Sequence, residues 1–547
     1  MTRFLGTVIA TAGRSARGMV TGEPGTPVRR TWGELHESAR RAAAALVDAG
    51  LRSGQAVALL AGDPAEVARA AQGTWLAGGS LTMLHQPTPR TDLMVWRDDT
   101  LRVLRMIDAR LVLVGSPFEP MAEVLREHGI DYVTVADLDS DSPFTGVDAG
   151  EDDTALLQLT SGSTAQPKAV RITHGNLYAN LVDSTARLRG DENDVMVSWL
   201  PLFHDMGMVG CLLIPMFTGM DLVMVTPADF MGRPILWAEL MSRYGGTITA
   251  APNFAYAILA RQLARVPDGA LDLSRLKCAA NGAEPVDPST IEAFTQGGAR
   301  FGLRPEAVNC CYGAAESALV ISLSALEDPI ILDTVDALEL EKNRRAVRRD
   351  DDPDSGVRRL PLLGAPFPSV EVRIVDDTGA ALGEREVGRI LLRGPSVTTG
   401  YLTEEGPAEA LDDDGWLDIG DEGYLVDGQI VVCGRRKDVI IMAGRNIYPT
   451  DIERAAGGVD GIRVGNVAAV RLMTGDGIDR ESFAVLVESR LAGDPDAEQA
   501  LRAAVTARVL AEVDARPATV TVLPPGTLPK TPSGKLRRHS ARALVQR

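Results

Sequence analysis

The sequence predicts an α/β protein with a large N-terminal domain of two α/β sheet layers and a small β-rich subdomain, followed by a smaller α+β C-terminal domain. Three observations predict it. At 547 residues the chain is too long for one core, so about two to four domains are expected. Short apolar runs alternate with helical patterns up to residue 305, the rhythm of a parallel sheet covered by helices. After Gly364 the pattern turns to short strands between Gly and Asp turns, and beyond Arg436 it returns to mixed α+β. The reading places 1–436 in the large domain, with subdomains near 1–190, 191–365 and 366–436, and 437–547 in the small one.

Taken in order, 32–51 carries apolar positions at helical spacing and meets a helix-ending glycine at Gly50. A strand over 55–60 and a helix over 64–76 follow, then a strand at 110–115, a helix at 120–128 and a strand at 131–135. Strands are expected again at 195–199, 222–225, 247–250 and 276–280, with helices at 234–244 and 255–263 between them. The β-rich part reads as strands at 370–375, 388–392, 423–426 and 429–433. The 344–359 segment is charged and poor in apolar residues, and reads as a mobile surface loop.

Composition narrows the function. Apolar content of 45% and charged content of 24% are those of a soluble globular protein. The net charge of −18 argues against nucleic acid or an anionic membrane as the main partner, yet leaves room for ATP at a locally positive loop. Five cysteines without a CxxC pairing fit reduced thiols in the cytoplasm. The apolar run at 5–12 is short and preceded only by Arg3, which does not make a signal peptide, and no uncharged apolar stretch is long enough for stable membrane insertion.

One loop stands out. Thr160-Ser161-Gly162-Ser163-Thr164-Ala165-Gln166-Pro167-Lys168 lies between apolar runs that read as strands at 155–159 and 170–174. Hydroxyls and bare backbone N–H groups suit triphosphate oxygens, and the lysine adds a point charge. It is not the G-x-x-x-x-G-K-[ST] phosphate loop, and a polar hairpin loop is the competing reading.

Further stretches agree with it. Tyr312-Gly313-Ala314-Ala315-Glu316 follows a strand, where Tyr312 can stack on a purine and Glu316 can hold Mg2+ against phosphate oxygens, or the two are a core tyrosine and a solvated glutamate. Asn281-Gly282-Ala283-Glu284-Pro285 offers an amide and backbone to a base edge, or is only a turn. Asp421 can take both ribose hydroxyls, or serve its turn; Arg435, after a strand, can reach phosphate or ribose oxygens. Near the C-terminus, Pro529-Lys530-Thr531-Pro532-Ser533-Gly534-Lys535 presents Lys535 on a loop that is rigid and then flexible, or as part of a solvated basic tail.

In this order and spacing, these stretches resemble the adenylate-forming superfamily of acyl-CoA ligases, luciferase and peptide-synthetase adenylation domains, over nearly the whole chain. Within it, Trp199-Leu200-Pro201-Leu202-Phe203-His204-Asp205-Met206-Gly207-Met208, Asn281 to Pro285, and Gly444-Arg445-Asn446-Ile447-Tyr448-Pro449-Thr450-Asp451-Ile452-Glu453 are most similar to the fatty acyl-AMP ligases. Those enzymes carry an insertion that hinders the movement needed for CoA thioesterification, and the long 316–364 stretch places one within 324–360. Ala165 departs from the glycine common in superfamily phosphate loops.

The resemblance implies that a fatty acid and ATP form acyl-AMP and pyrophosphate. The 160–168 loop would hold the β- and γ-phosphates, and Thr164 and Glu316 would lie near Mg2+. Lys535 would bridge the carboxylate and the α-phosphate, Asp421 and Arg435 would fix the ribose, and Asn281, Gly282, Ala283, Tyr312 and Gly313 would hold adenine. His204 would border the acyl pocket, or is a satisfied core histidine. Lys437 stands at the superfamily hinge, making the small domain mobile, with the phosphopantetheine of an acyl carrier protein or polyketide synthase as acceptor. The competing functions are an acyl-CoA ligase and a catalytically silent nucleotide-binding regulator.

Overall fold

Strand Ala56–Leu60 is buried along its whole length, the pattern of a parallel strand covered on both faces. In the computed structural model, which describes residues 1–88, 91–160, 167–349, 356–473, 479–531 and 534–545, it lies inside an eight-stranded sheet. Strands Thr154–Thr160, Ser80–Met83, Ala56–Leu60, Ala109–Val114 and Tyr132–Thr134 run parallel in that order. Lys168–Thr173, Gly400–Thr403 and Gly406–Glu409 extend the sheet antiparallel from Thr154–Thr160.

A second eight-stranded sheet has the parallel core Val308–Gly313, Cys278–Gly282, Ile248–Pro252, Val195–Ser198, Asp221–Met224 and Gly18–Thr21. Val320–Leu323 and Val28–Thr31 close its edges antiparallel. The helices on these sheets begin where local chemistry dictates. Thr31 and Glu34 form a reciprocal capping box for Trp32–Asp48, and Asp63 caps Pro64–Leu76 with proline in its first turn. At 170–174 the expected strand stops one residue early, because Thr173 caps helix His174–Leu188.

The chain groups into two units by contact: Met1–Ile330 with Gly364–Glu371 and Leu392–Leu417, and Ile331–Leu363 with Val372–Leu391 and Asp418–Arg547. The expected boundary at 436/437 falls within the second grouping. That unit contains most of a four-stranded sheet, Glu371–Val375, Gly388–Arg393, Leu417–Val426 and Gln429–Arg435. It also contains a three-stranded sheet, Ile462–Met473, Asp479–Ser489 and Thr519–Leu523. Helices Pro449–Gly457 and Pro495–Val513 share an apolar core with this smaller sheet through Ile452, Phe483, Val485, Val505 and Val509.

Of the 344–359 segment, expected as a mobile surface loop, residues 350–355 lie outside the described residues, and Arg344 and Arg358 are held by ion pairs. Arg344 pairs with Glu422 at 2.9 Å, and Arg358, only 5% exposed, is the second residue of strand Val357–Pro361 and binds Asp451 at 2.9 Å. A partner within reach lets a charge be buried, which composition alone does not reveal. Among the described residues, no helix is long and apolar enough to cross a membrane.

Candidate active site

In open α/β sheets, ligands bind beyond the carboxyl ends of the parallel strands. In the second sheet those ends carry the predicted residues Asn281, Gly282, Tyr312 and Gly313 on adjacent strands, with Asn281 in register with Cys310. The strands approach so closely that a Cβ on Gly282 would sit 2.4 Å from Cys311 Sγ and 2.6 Å from its carbonyl oxygen, so only glycine fits.

Ala283 then turns with φ +65°, a left-handed conformation costly for a residue with a Cβ. Three hydrogen bonds hold that turn. Glu284 Oε1 accepts the Phe254 N–H at 2.7 Å, and Asn253 Oδ1 accepts both Asn281 Nδ2 at 3.1 Å and the Asp287 N–H at 3.2 Å. Asn281 Oδ1 is buried and has no donor among the described residues. A buried acceptor left open costs free energy unless a ligand donor meets it, and a purine amino group is such a donor.

Glu316 follows Gly313 on a short 3-10 turn, Ala315–Ser317. Its Oε1 accepts the Tyr401 hydroxyl at 3.1 Å and lies 3.9 Å from Lys168 Nζ, while that ammonium sits 3.9 Å from the centroid of the Tyr401 ring. The antiparallel pairing of Gly400–Thr403 with Lys168–Thr173 sets Tyr401 opposite Val170 and Thr403 opposite Lys168. Thr160 pairs with Lys168 across the mouth of the loop, and its Oγ1 has no hydrogen-bond partner among the described residues. Ser161, Gly162, Ser163, Thr164, Ala165 and Gln166 lie outside the described residues.

His204 joins this side of the sheet. Gln158 Nε2 donates to the Phe203 carbonyl at 2.9 Å, tying the segment to strand Thr154–Thr160. Asp205 Oδ1 lies 2.6 Å from His204 Nδ1 and accepts the Met206 N–H at 2.7 Å, the shorter of that N–H's two contacts. The Met206 N–H also reaches His204 Nδ1, at 3.3 Å. Burial pushes the Cys311 thiol up to about 12, and the Asp205 charge adds to the shift. A π-helical stretch, Met206–Leu213, follows; such stretches occur often at functional sites.

The other predicted residues belong to the second unit. Asp421 is buried and Arg435 half exposed; they stand opposite each other across strands Leu417–Val426 and Gln429–Arg435, with Arg435 Nε 3.1 Å from Asp421 Oδ1. Lys437 lies in the turn Arg436–Asp438. Lys535 sits on a tight return in which the Thr531 N–H donates to the Lys535 carbonyl at 2.7 Å and the Lys535 N–H to Thr531 Oγ1 at 3.0 Å. Three residues on, Arg538 reaches Glu453 at 2.8 Å and Asp438, beside Lys437, at 3.0 Å. Burial opposes the charge of Arg538, yet those two carboxylates raise its pKa.

The structure thus brings Thr160, Lys168 and Glu316 together, and sets Asn281, Gly282 and Ala283 beside Tyr312 and Gly313. Tyr401, Asn253 and Asp205 were not singled out from the sequence. Asp205 had a signal, its position next to His204; Tyr401 and Asn253 reach the site by pairings distant in sequence.

The AMP-binding enzyme family matches residues 11–402, well over half of the chain. The chain belongs to that family. This AMP-binding enzyme is 53% identical over 548 residues to a putative ligase of Mycobacterium tuberculosis, Rv1013, with all of both chains covered. It is 35% identical over 433 residues to the long-chain-fatty-acid–AMP ligase FadD32 of Mycolicibacterium smegmatis, covering 71% of this chain and 68% of the relative. Its fold matches a solved structure from work on fatty acyl-adenylate ligases of E. coli and L. pneumophila at a TM-score of 0.91 and 29% identity, over 100% of this chain and 98% of that one. The expected adenylate-forming resemblance and α/β fold are borne out.

Proposed function

We propose that this AMP-binding enzyme is a fatty acyl-AMP ligase, joining a fatty acid to AMP from ATP with release of pyrophosphate. The observation that carries the reading is the whole-chain likeness to fatty acyl-adenylate ligases. The open acceptor of Asn281 and the strand-end position of Tyr312 support adenine binding. The donor set fits a magnesium nucleotide: Mg2+ is held by one or two carboxylates plus phosphate oxygens, and Glu316 supplies one such carboxylate. With Glu316 and Thr164 as its holders, Mg2+ would supply neutralising charge at the triphosphate.

A fatty acid carboxylate oxygen attacks the α-phosphorus, the bond to the pyrophosphate leaving group breaks, and catalysis is mainly positioning and charge neutralisation. In this reading Lys168 and the 160–168 loop bind the β- and γ-phosphates, Asp421 and Arg435 the ribose, and Lys535 the oxygens gaining charge. His204 borders the acyl chain. Residues 437–547 then rotate about Lys437 to withdraw Lys535 and admit the acceptor. A carrier-protein phosphopantetheine thiol attacks the acyl carbonyl, and AMP leaves.

The carrier acceptor, rather than CoA, is supported by the likeness to long-chain-fatty-acid–AMP ligases, and the 331–363 segment is bonded to 437–547 through buried pairs. Arg358 binds Asp451, and Glu341 binds Arg445 at 2.7 Å. The test is an acid panel from short to long chains, incubated with ATP and Mg2+, with and without CoA, and resolved for acyl-AMP and acyl-CoA. Acyl-AMP accumulating without thioester supports the reading; efficient acyl-CoA formation assigns an acyl-CoA ligase, and no acid-dependent pyrophosphate release a silent nucleotide binder.

A further inference from the structure

We propose that Tyr401 is a positioning residue that keeps Lys168 and Glu316 from closing on each other, so that each stays available to the nucleotide. The inference rests on the reading above that these two residues serve the triphosphate. Lysine and carboxylate groups free to pair meet at about 2.8 Å. Here they stay at 3.9 Å, although only 33% of the Lys168 side chain and 16% of the Glu316 side chain are exposed.

Both halves of the Tyr401 side chain account for the gap. Its hydroxyl donates to Glu316 Oε1, the oxygen nearest the ammonium, at 3.1 Å and takes up a lone pair that Lys168 would use. Its ring face holds the ammonium 3.9 Å from the centroid, within the range of a cation–π contact. Strand pairing makes the arrangement rigid, since Gly400–Thr403 lies directly beside the strand that Lys168 opens. The Glu316 backbone is fixed to the same region, its carbonyl accepting the Thr398 N–H at 2.8 Å. Lys168 thus rests on a weakly held aromatic face, from which a phosphate can draw it at lower cost than from a direct ion pair.

The test compares Tyr401→Phe, Tyr401→Leu and Tyr401→Leu with Glu316→Gln in the full chain. Calorimetry measures ATP binding in EDTA, and pyrophosphate exchange gives kcat and KM for ATP. Tyr401→Phe keeps the ring and loses the hydroxyl; metal-free ATP affinity should stay within about twofold while kcat falls about tenfold. Tyr401→Leu should weaken metal-free ATP binding by about tenfold, as Lys168 closes on Glu316. Adding Glu316→Gln removes the carboxylate that traps the lysine and should bring affinity back to within about threefold of wild type. Unchanged affinity in Tyr401→Leu, or no recovery in the double variant, overturns the proposal. Should Tyr401→Leu fail to fold, Tyr401→Phe decides, because wild-type kcat there overturns the role. Wild-type protein that binds ATP without fatty-acid-dependent exchange defeats the ligase reading alone; the EDTA series still tests Tyr401.

Discussion

Asp421 and Arg435 are directly opposed residues of an antiparallel pair, joined at 3.1 Å, with the register shifting just after Asp421, between Glu422 and Gly423. The carboxylate is buried and the guanidinium half exposed, and the pair is proposed above to bind a ligand. With the ribose hydroxyls as that ligand, Asp421→Ala should raise KM for ATP about 10- to 100-fold, the scale of one hydrogen bond to a charged group. Pyrophosphate exchange over a range of ATP concentrations measures it; an unchanged KM would leave the pair a sheet contact only.

Lys535→Ala should lower acyl-AMP formation by at least about a hundredfold, the loss expected for one focused charge contact in the transition state. ATP binding by calorimetry should change far less. Turnover at the wild-type rate would remove Lys535 from the mechanism.

Arg358 is bonded to Asp451, donates to the Cys433 carbonyl at 2.9 Å and lies 4.4 Å over the Tyr448 ring. Arg358→Ala leaves Asp451 buried, with Arg454 at 3.5 Å as the remaining cation paired to it among the described residues. A loss of about 3–5 kcal/mol is expected, read as a lower urea midpoint for the second unit. In the same segment, deletion of 332–354 should raise acyl-CoA formation, and an unchanged product ratio after adding CoA would show that the segment does not select the acceptor.

His174, 1% exposed with Nδ1 3.2 Å from Thr2 Oγ1, has its pKa held down to about 4 by burial, against the opposing pull of Asp153 and Glu151. In the unfolded chain the same ring titrates near 6.5. The unfolded state therefore binds the proton first, and stability falls as pH drops from about 6.5 to about 4, by a total on the order of 3 kcal/mol from this group, and no further below. His174→Gln should remove that part of the slope in urea melts at pH 7, 5 and 4. Parallel slopes for both proteins would assign the acid loss to other groups.

The sequence by itself determined what depends on near neighbours. Helix Pro64–Leu76 and the strands flanking the 160–168 loop follow from apolar period, caps and turn residues, all set within a few positions. The order of the chemical stretches along the chain also carries the family resemblance. Tertiary structure decided what depends on long-range register and on partners for buried charge. Gly18–Thr21 joins the second sheet beside Asp221–Met224, Tyr401 reaches Glu316 across 85 positions, and Arg358 is buried because Asp451 lies 93 positions away to receive it. A local pattern specifies which face of an element is apolar, but the choice of neighbour is made by the free energy of the assembled layers, and a charged residue such as Arg358 reads as exposed until its counter-charge is in place.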